Sequence, residues 1–461
     1  MMGEEQRITA EERAGGRHAR HYLVLLQEAD LLYQQGGEKV LEGLRTFDAE
    51  SLQIRAGQLW AAGGRNEPAR TKLCGQYPGV GNHIISLRLT PDERIKWLEC
   101  GLAAAREMKN REMEGVHLGN LATAFSIIGK DRKAIQYYEQ ALMISREFKS
   151  RHGEGIDLGN LGNAYYRLGE TRKAIEYFDR SLVIAREIGN RRGEGLAYGN
   201  LGNAHRHLGE NRTAIQYHEN AILIFREIGD KREEGSALGN MGLAYANLGE
   251  EIKAIECYEQ ALRIAVEISD RITEDACLGN LATAYKDLGD VRKAIEYYEK
   301  ALAVDQEVQD RRGEGIDLGN LGLAYLDLGE ASKAVENLEK ALEIDRETGN
   351  RFAEGGALGN LGIVYLRLGD AAKAIALFEQ ALVIDRGCGN KAAEGNTLAN
   401  LGNALCNMGD WAHGTENMMR ALKIFEAIKS PNAERARKQL VAWGILDPGS
   451  VTGTWRPESE Y

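Results

Sequence analysis

The sequence predicts an all-α protein, a solenoid of antiparallel helix pairs laid side by side. Three observations carry this reading. From residue 111 to 430 the chain repeats every 40 residues without an insertion, in eight copies beginning at 111, 151, 191, 231, 271, 311, 351 and 391. A fixed period of this size marks stacked supersecondary units that share one continuous core. Each copy is split by a glycine, Gly129, Gly169, Gly209, Gly249, Gly289, Gly329, Gly369 or Gly409, into two stretches with helical apolar spacing. All six prolines (68, 78, 91, 431, 448 and 457) fall outside residues 92–430, so no helix of the array carries a breaker.

The elements follow in order. Residues 1–19 begin with a charged stretch that has no apolar core; no secretory signal is expected there, and the segment is expected to be disordered. Residues 20–90 form a lead-in, where HYLVLLQEADLLYQQGG and AESLQIRAGQLWAAGG predict helices stopped by glycines. Residues 91–110 are expected to form a half repeat, a second helix without a first. Thr90-Pro91-Asp92-Glu93 at its start has the form of a capping box with proline in the first turn. Residues 111–430 are the eight copies. In the third, Asn190 suits an N-cap; a first helix is predicted over about 191–208, a break at Gly209, and a second helix over about 211–228 with a left-handed cap at Gly229. Ser430-Pro431 opens a capping helix over 431–446 with Arg435, Arg437 and Lys438 on its polar side, and 447–461 are expected to be a flexible tail.

The run from Leu158 to Leu182, with Gly162, Tyr165, Ala174, Phe178 and Ser181 in small–large alternation, resembles the tetratricopeptide repeat. The 40-residue length and the Leu-Gly-Asn triplet are most similar to the long-helix repeats of Partner-of-Inscuteable-type scaffolds and kinesin light chains. The resemblance spans about 340 of the 461 residues. It implies a right-handed superhelix whose first helices line a concave, ligand-binding surface. The lead-in resembles the helices preceding repeat arrays in bacterial signalling NTPases of the nucleotide-binding, apoptosis-regulator type.

Copies two and six pose the specificity question. Residues 153–170 and 313–330 differ only at Asn163/Leu323, Tyr166/Leu326 and Arg167/Asp327. On a helical wheel Leu158, Leu161, Gly162, Tyr165 and Leu168 form the packed side, while Ile156, Asn160, Asn163 and Arg167 lie opposite, flanked by Tyr166. The varying positions are therefore expected on or beside the open face, where substitution leaves the core intact. The same stripe carries an asparagine in every copy: Asn120, Asn160, Asn200, Asn240, Asn280, Asn320, Asn360 and Asn400. An amide offers a donor and an acceptor, the pair that an extended backbone needs; the alternative is a bond to a neighbouring helix or water. Gly159 beside the row either admits a ligand backbone or relieves helix crowding. Around the row, Asn163, Tyr166, Arg167, Asn203, Arg206 and His207 make a polar, basic region. Leu243, Leu323, Leu326, Ile363 and Leu366 make an apolar one, with Lys286, Asp287, Asp327 and Arg367 interspersed. In the resembled family's carboxylate-clamp variety a lysine stands where this chain has Gly159, so acidic chaperone tails are not the implied ligand.

The charge pattern excludes a nonspecific nucleic-acid binder. The net charge is −11, and residues 91–430 hold all of the excess, with 43 basic against 54 acidic side chains. No run of 18 apolar residues predicts a membrane span. Six scattered cysteines without a C-x-x-C spacing predict reduced thiols and a cytoplasmic protein, with Cys257 and Cys277 on consecutive helices. There is no G-x-x-x-x-G-K-[ST], no H-E-x-x-H, no cysteine–histidine metal spacing and no G-x-S-x-G, so neither catalysis, metal nor cofactor is expected. The expectation is a non-enzymatic scaffold that binds a peptide or helix of a partner protein. The alternatives are a sensor module of a bacterial signalling NTPase system and a structural solenoid self-associating through its terminal helices.

Overall fold

The computed structural model describes residues 10–447, apart from 36–37 and 65–66. Among the described residues there are 22 helices and no strand. The lead-in comprises α1 (Ala10–Gln34), α2 (Glu38–Ala62), α3 (Pro68–Val80) and α4 (Asn82–Arg88), followed by α5 (Pro91–Glu107). The copies are α6 (Arg111–Ile127) with α7 (Asp131–Glu147), α8 (Arg151–Arg167) with α9 (Thr171–Glu187), and α10 (Arg191–His207) with α11 (Asn211–Ile228). Copy four contributes α12 (Lys231–Ala246) and α13 (Glu251–Glu267). Then come α14 (Arg271–Asp287) with α15 (Val291–Val308), α16 (Arg311–Asp327) with α17 (Ala331–Glu347), α18 (Arg351–Arg367) with α19 (Ala371–Gly387), and α20 (Lys391–Asn407) with α21 (Trp411–Ala427). The last helix is α22 (Asn432–Ala442). The chain forms two compact units, one up to Ala244 and one from Tyr245.

Local chemistry sets the helix ends. Asn110, Ser150, Asn190, Asp270, Asn350 and Asn390 each accept from the backbone N–H three residues on, which satisfies a donor the first turn leaves open. The turn between first and second helix closes on a left-handed glycine such as Gly209, φ 80°. The Thr90–Glu93 capping box forms with both bonds at 3.3 Å.

Small residues on one helix receive large ones from the next. A β-carbon on Gly322 would stand 2.6 Å from Leu338, and one on Gly362 would stand 2.5 Å from Phe378. Glycine is needed there for close approach. Successive first helices touch directly, as α6 with α8, α8 with α10, α16 with α18 and α18 with α20, whereas among the described residues no comparable contact is seen between successive second helices. Within each unit the first helices therefore line the inside of the curve.

A recurring ion cluster links neighbouring copies. Glu154 on α8 accepts from Arg146 of the preceding copy and from Arg151 of its own, both at 2.8 Å, and Arg151 also holds Glu187. The arrangement recurs at Arg186–Glu194–Arg191–Glu227. These glutamates sit in the first turn of their helices, where the helix dipole favours an acid, and the fold adds a role between copies. Burial alone would raise the Glu154 carboxyl, but the two arginines hold it below the ordinary carboxylate value.

Two expectations about the N-terminal region are corrected. Helix α1 begins at Ala10, so residues 10–19 of the segment expected to be disordered are helical; residues 1–9 lie outside the described residues, as does the tail beyond Asp447. The half repeat has a partner. Helix α3 packs on α5 and also reaches α6, where His117 Nε2 lies 2.9 Å from the Gly75 carbonyl oxygen. Residues 71–110 are thus in register with the later copies, with their first helix interrupted at Gly81 between α3 and α4. The interruption hid the copy from pattern reading.

Candidate peptide-binding groove

In the unit up to Ala244, Asn120, Asn160, Asn200 and Asn240 stand on the inner faces of α6, α8, α10 and α12. In the other unit, Asn280, Asn320, Asn360 and Asn400 stand on α14, α16, α18 and α20. All eight are half-buried. Among the described residues, none of these side chains makes a hydrogen bond to the protein, whereas capping Asn190 and Asn350 do. Three cavities open beside the row. One of about 170 Å³ is lined by Asn160, Asn163, Asn200, Gly159 and Ile156. A second, of about 70 Å³, lies among Asn200, Asn203, Asn240 and His218. The third, of about 520 Å³ in the unit from Tyr245, is lined by Asn360, Asn400, Asn403, Ile363 and Gly359, and closes against Arg435 and Gln439 of α22.

The glycines beside the row are uncrowded in most copies, while a β-carbon on Gly159 would make an ordinary contact with the Ser181 hydroxyl at 3.4 Å. A β-carbon on Gly199, Gly239, Gly279, Gly319 or Gly359 would meet nothing within 4 Å. Crowding does not account for glycine at these positions, unlike the Gly162 series. On the inner face a missing β-carbon exposes helix backbone, which a second chain can approach.

The remaining sequence-predicted residues divide by environment. Asn163, Leu243, Leu323, Ile363, Leu366 and Lys286 are half-buried, while Asp287 is exposed. Arg167 is exposed but engaged: its Nε donates to Asp131 at 2.8 Å, and it also bonds Ser126, both in copy one. His207 Nδ1 lies 3.0 Å from the Thr171 hydroxyl, and its ring meets Tyr166 edge-on at 5.5 Å. Arg367 reaches Asp327 at 3.8 Å. Tyr166, Arg167, His207, Asp327 and Arg367, at the C-terminal ends of first helices, thus contact neighbouring copies. Leu326 requires a correction. It is only 5% exposed and belongs to a core cluster with Leu338, Leu358, Leu361 and Val364. The wheel of α16 alone places it at the margin, but α17 and α18 cover that flank.

One residue escaped sequence reading. His218 on α11 is fully buried, and neither ring nitrogen has a protein partner; the Oδ1 of Asn203 and the Nε of Arg206 are also buried and unpartnered. Burial, reinforced by the charge of Arg206, pushes the His218 imidazole down to about 4, so it is neutral at pH 7. The available signal was the self-comparison: the equivalent residues are Tyr138, Phe178, Tyr258, Tyr298, Leu338, Phe378 and Met418.

Among the described residues, no helix is long and apolar enough to cross a membrane. No curated protein matches the chain. Among solved structures, the chain is similar to a Signal Transduction ATPase with Numerous Domains protein with a tetratricopeptide repeat sensor, PH0952 from Pyrococcus horikoshii. The identity is 16%, over 93% of this chain and 67% of that one, with a TM-score of 0.59. It is also similar to the apo form of the quorum sensor NprR from B. thuringiensis, at 18% identity over 74% of this chain and 99% of that one, TM-score 0.55. A putative kinesin light chain with TPR-like repeats from Podosopora anserina is 21% identical over 42% of this chain and 95% of that one, TM-score 0.37. The tetratricopeptide repeat family pattern matches residues 156–227, 193–267, 233–307, 274–347 and 316–387, and a second pattern of the same description matches 118–151. With half of its length matched and the paired helices in place, this chain belongs to the tetratricopeptide repeat family.

Proposed function

We propose that the protein is a non-enzymatic scaffold that captures an extended peptide segment of a partner protein along the asparagine row. The observation that carries this reading is the set of half-buried asparagine amides without a protein partner. Their amides are reachable from solvent and left free by the protein, and amides spaced along successive inner helices can pair with a backbone whatever its side chains. The open glycines beside them support the same reading, since they leave room for main chain. Leu323, Ile363 and Leu366 offer apolar contact to the ligand's side chains, and Asn163 and Asn203 offer polar contact. PH0952 is described as carrying a tetratricopeptide repeat sensor and NprR as a quorum sensor; a peptide-capturing groove would equip this chain for a sensing role.

The test is selection of peptides from a display library against the purified chain, followed by titration of the winners. Changing Asn200 and Asn240 together to alanine, or Asn360 and Asn400 together, is expected to weaken one class of binders at least tenfold, about 1.4 kcal/mol. The melting curve should hardly move. Binders that compete for the protein yet ignore both double variants would exclude the row as the binding element.

A further inference from the structure

Asp275 on α14, Asp305 on α15 and Asp317 on α16 bring their carboxylates together, with one oxygen from each within 4.8 Å of the others. The copies show how exceptional this is. Where Asp275 stands, the other seven copies have glycine: Gly115, Gly155, Gly195, Gly235, Gly315, Gly355 and Gly395. The positions equivalent to 305 and 317 face each other at two other junctions as complementary pairs. Ser145 donates to Asp157 at 2.7 Å, and Thr397 donates to Asp385 at 2.8 Å. Only between copies five and six are both partners carboxylates, and a third is added from the position normally kept empty. The position points the right way: a β-carbon on Gly355 would lie 3.0 Å from the Asp385 carboxylate.

Among the described residues, no cationic side chain neutralises the trio. Asp305 is 2% exposed and Asp317 6%, and each has a buried Oδ2 without a protein partner. The arginine that precedes this spot in most copies (Arg146, Arg186, Arg226, Arg346 and Arg386) is here Gln306. Gln306 donates to Glu314 at 3.2 Å and brings no charge. Packing three carboxylates with two buried, unbonded oxygens is strongly unfavourable unless a cation or protons intervene.

We propose that Asp275, Asp305 and Asp317 form a binding site for one hard divalent cation of calcium or manganese size. Oxygen-only ligands select such ions. Calcium–oxygen bonds of about 2.3–2.6 Å allow ligands up to roughly 5 Å apart to share one ion, with water completing the shell. Asp275 is half-buried and gives the ion a way in. The ion would tie three consecutive helices of copies five and six together. The equivalent residues Gly355, Asp385 and Thr397 all line the groove cavity of copies seven and eight, so an ion at the trio would sit beside the inner face.

The test uses the full chain stripped with chelator and titrated separately with Ca2+, Mn2+ and Mg2+ by calorimetry, with melting curves and the Mn2+ spin-resonance signal as further readouts. Comparison is made with Asp275→Gly, which restores the residue of the other copies, and Asp317→Ala, whose alanine occurs as Ala197, Ala237 and Ala357. The expected result is one saturable ion per chain and a higher melting temperature with Ca2+ or Mn2+, both lost in each variant. The proposal is overturned if none of the three ions binds at millimolar concentration, which would mean that shared protons neutralise the trio. It is equally overturned if binding survives in both variants.

Discussion

Nε2 of His218 would stand 2.6 Å from a β-carbon placed on Gly202, so the imidazole on α11 fills the space left open by a glycine on α10. In copy two Phe178 fills the equivalent space against Gly162. Phenylalanine is thus a shape the site accepts, and His218→Phe removes two buried ring nitrogens that lack partners. The variant is expected to be at least as stable as the parent, by up to about 1–3 kcal/mol. Urea unfolding of the two chains at pH 7 measures it.

The same histidine sets an acid sensitivity. Its folded value is about 4, against about 6.5 in an unfolded chain. Between those values the unfolded chain takes up a proton that the folded one refuses, so stability falls as pH drops from about 6.5 towards 4. The contribution is about 2–3 kcal/mol. Unfolding midpoints at pH 7 and pH 4.5 should therefore lie closer together in His218→Phe than in the parent. An equal spread would show that His218 is not the group responsible.

Gly199→Ala separates a glycine kept for a ligand from one kept for packing. Its β-carbon would meet nothing within 4 Å, and copy eight already has Ala399 at this position. The helix should gain about 0.5–1 kcal/mol, while a peptide lying on the backbone there should bind more weakly. Melting and peptide titration on one preparation decide it; a variant that is both more stable and equally tight-binding would make this glycine incidental to the groove.

Exchanging the three differences between copies two and six should no longer give a uniform result. Leu323→Asn and Asp327→Arg change half-buried and exposed positions and should shift stability by about 0.5 kcal/mol each. Leu326→Tyr forces a larger side chain into the cluster with Leu338 and Leu358 and should cost about 1–3 kcal/mol. Three single variants compared by thermal melting test the distinction.

Glu154→Ala would leave Arg146 and Arg151 facing each other across two copies without their shared carboxylate. A cost of about 1–3 kcal/mol is expected. Salt should lessen it, because both arginines are about half exposed. Melting at low and high ionic strength reads both effects.

What the sequence by itself determined is everything that depends on near neighbours in the chain. The period, the caps at Asn190 and Thr90, the left-handed turn at Gly209 and the packed stripe of Leu158, Leu161 and Gly162 are decided within one or two helical turns, by propensity, capping and amphipathicity. What only the tertiary structure decided is what a neighbouring copy does to a residue. Leu326 is buried because α18 lies over one flank of α16, and no wheel of α16 contains α18. Arg167 is engaged because α7 presents Asp131. The pairing of α3 with α5 was hidden by the break at Gly81, and the carboxylates of Asp275, Asp305 and Asp317 meet from three helices although 42 residues separate the first from the last. The physical reason is the same in each case: burial and electrostatics depend on distance in space, and in a stacked array that distance is set by the adjoining repeat.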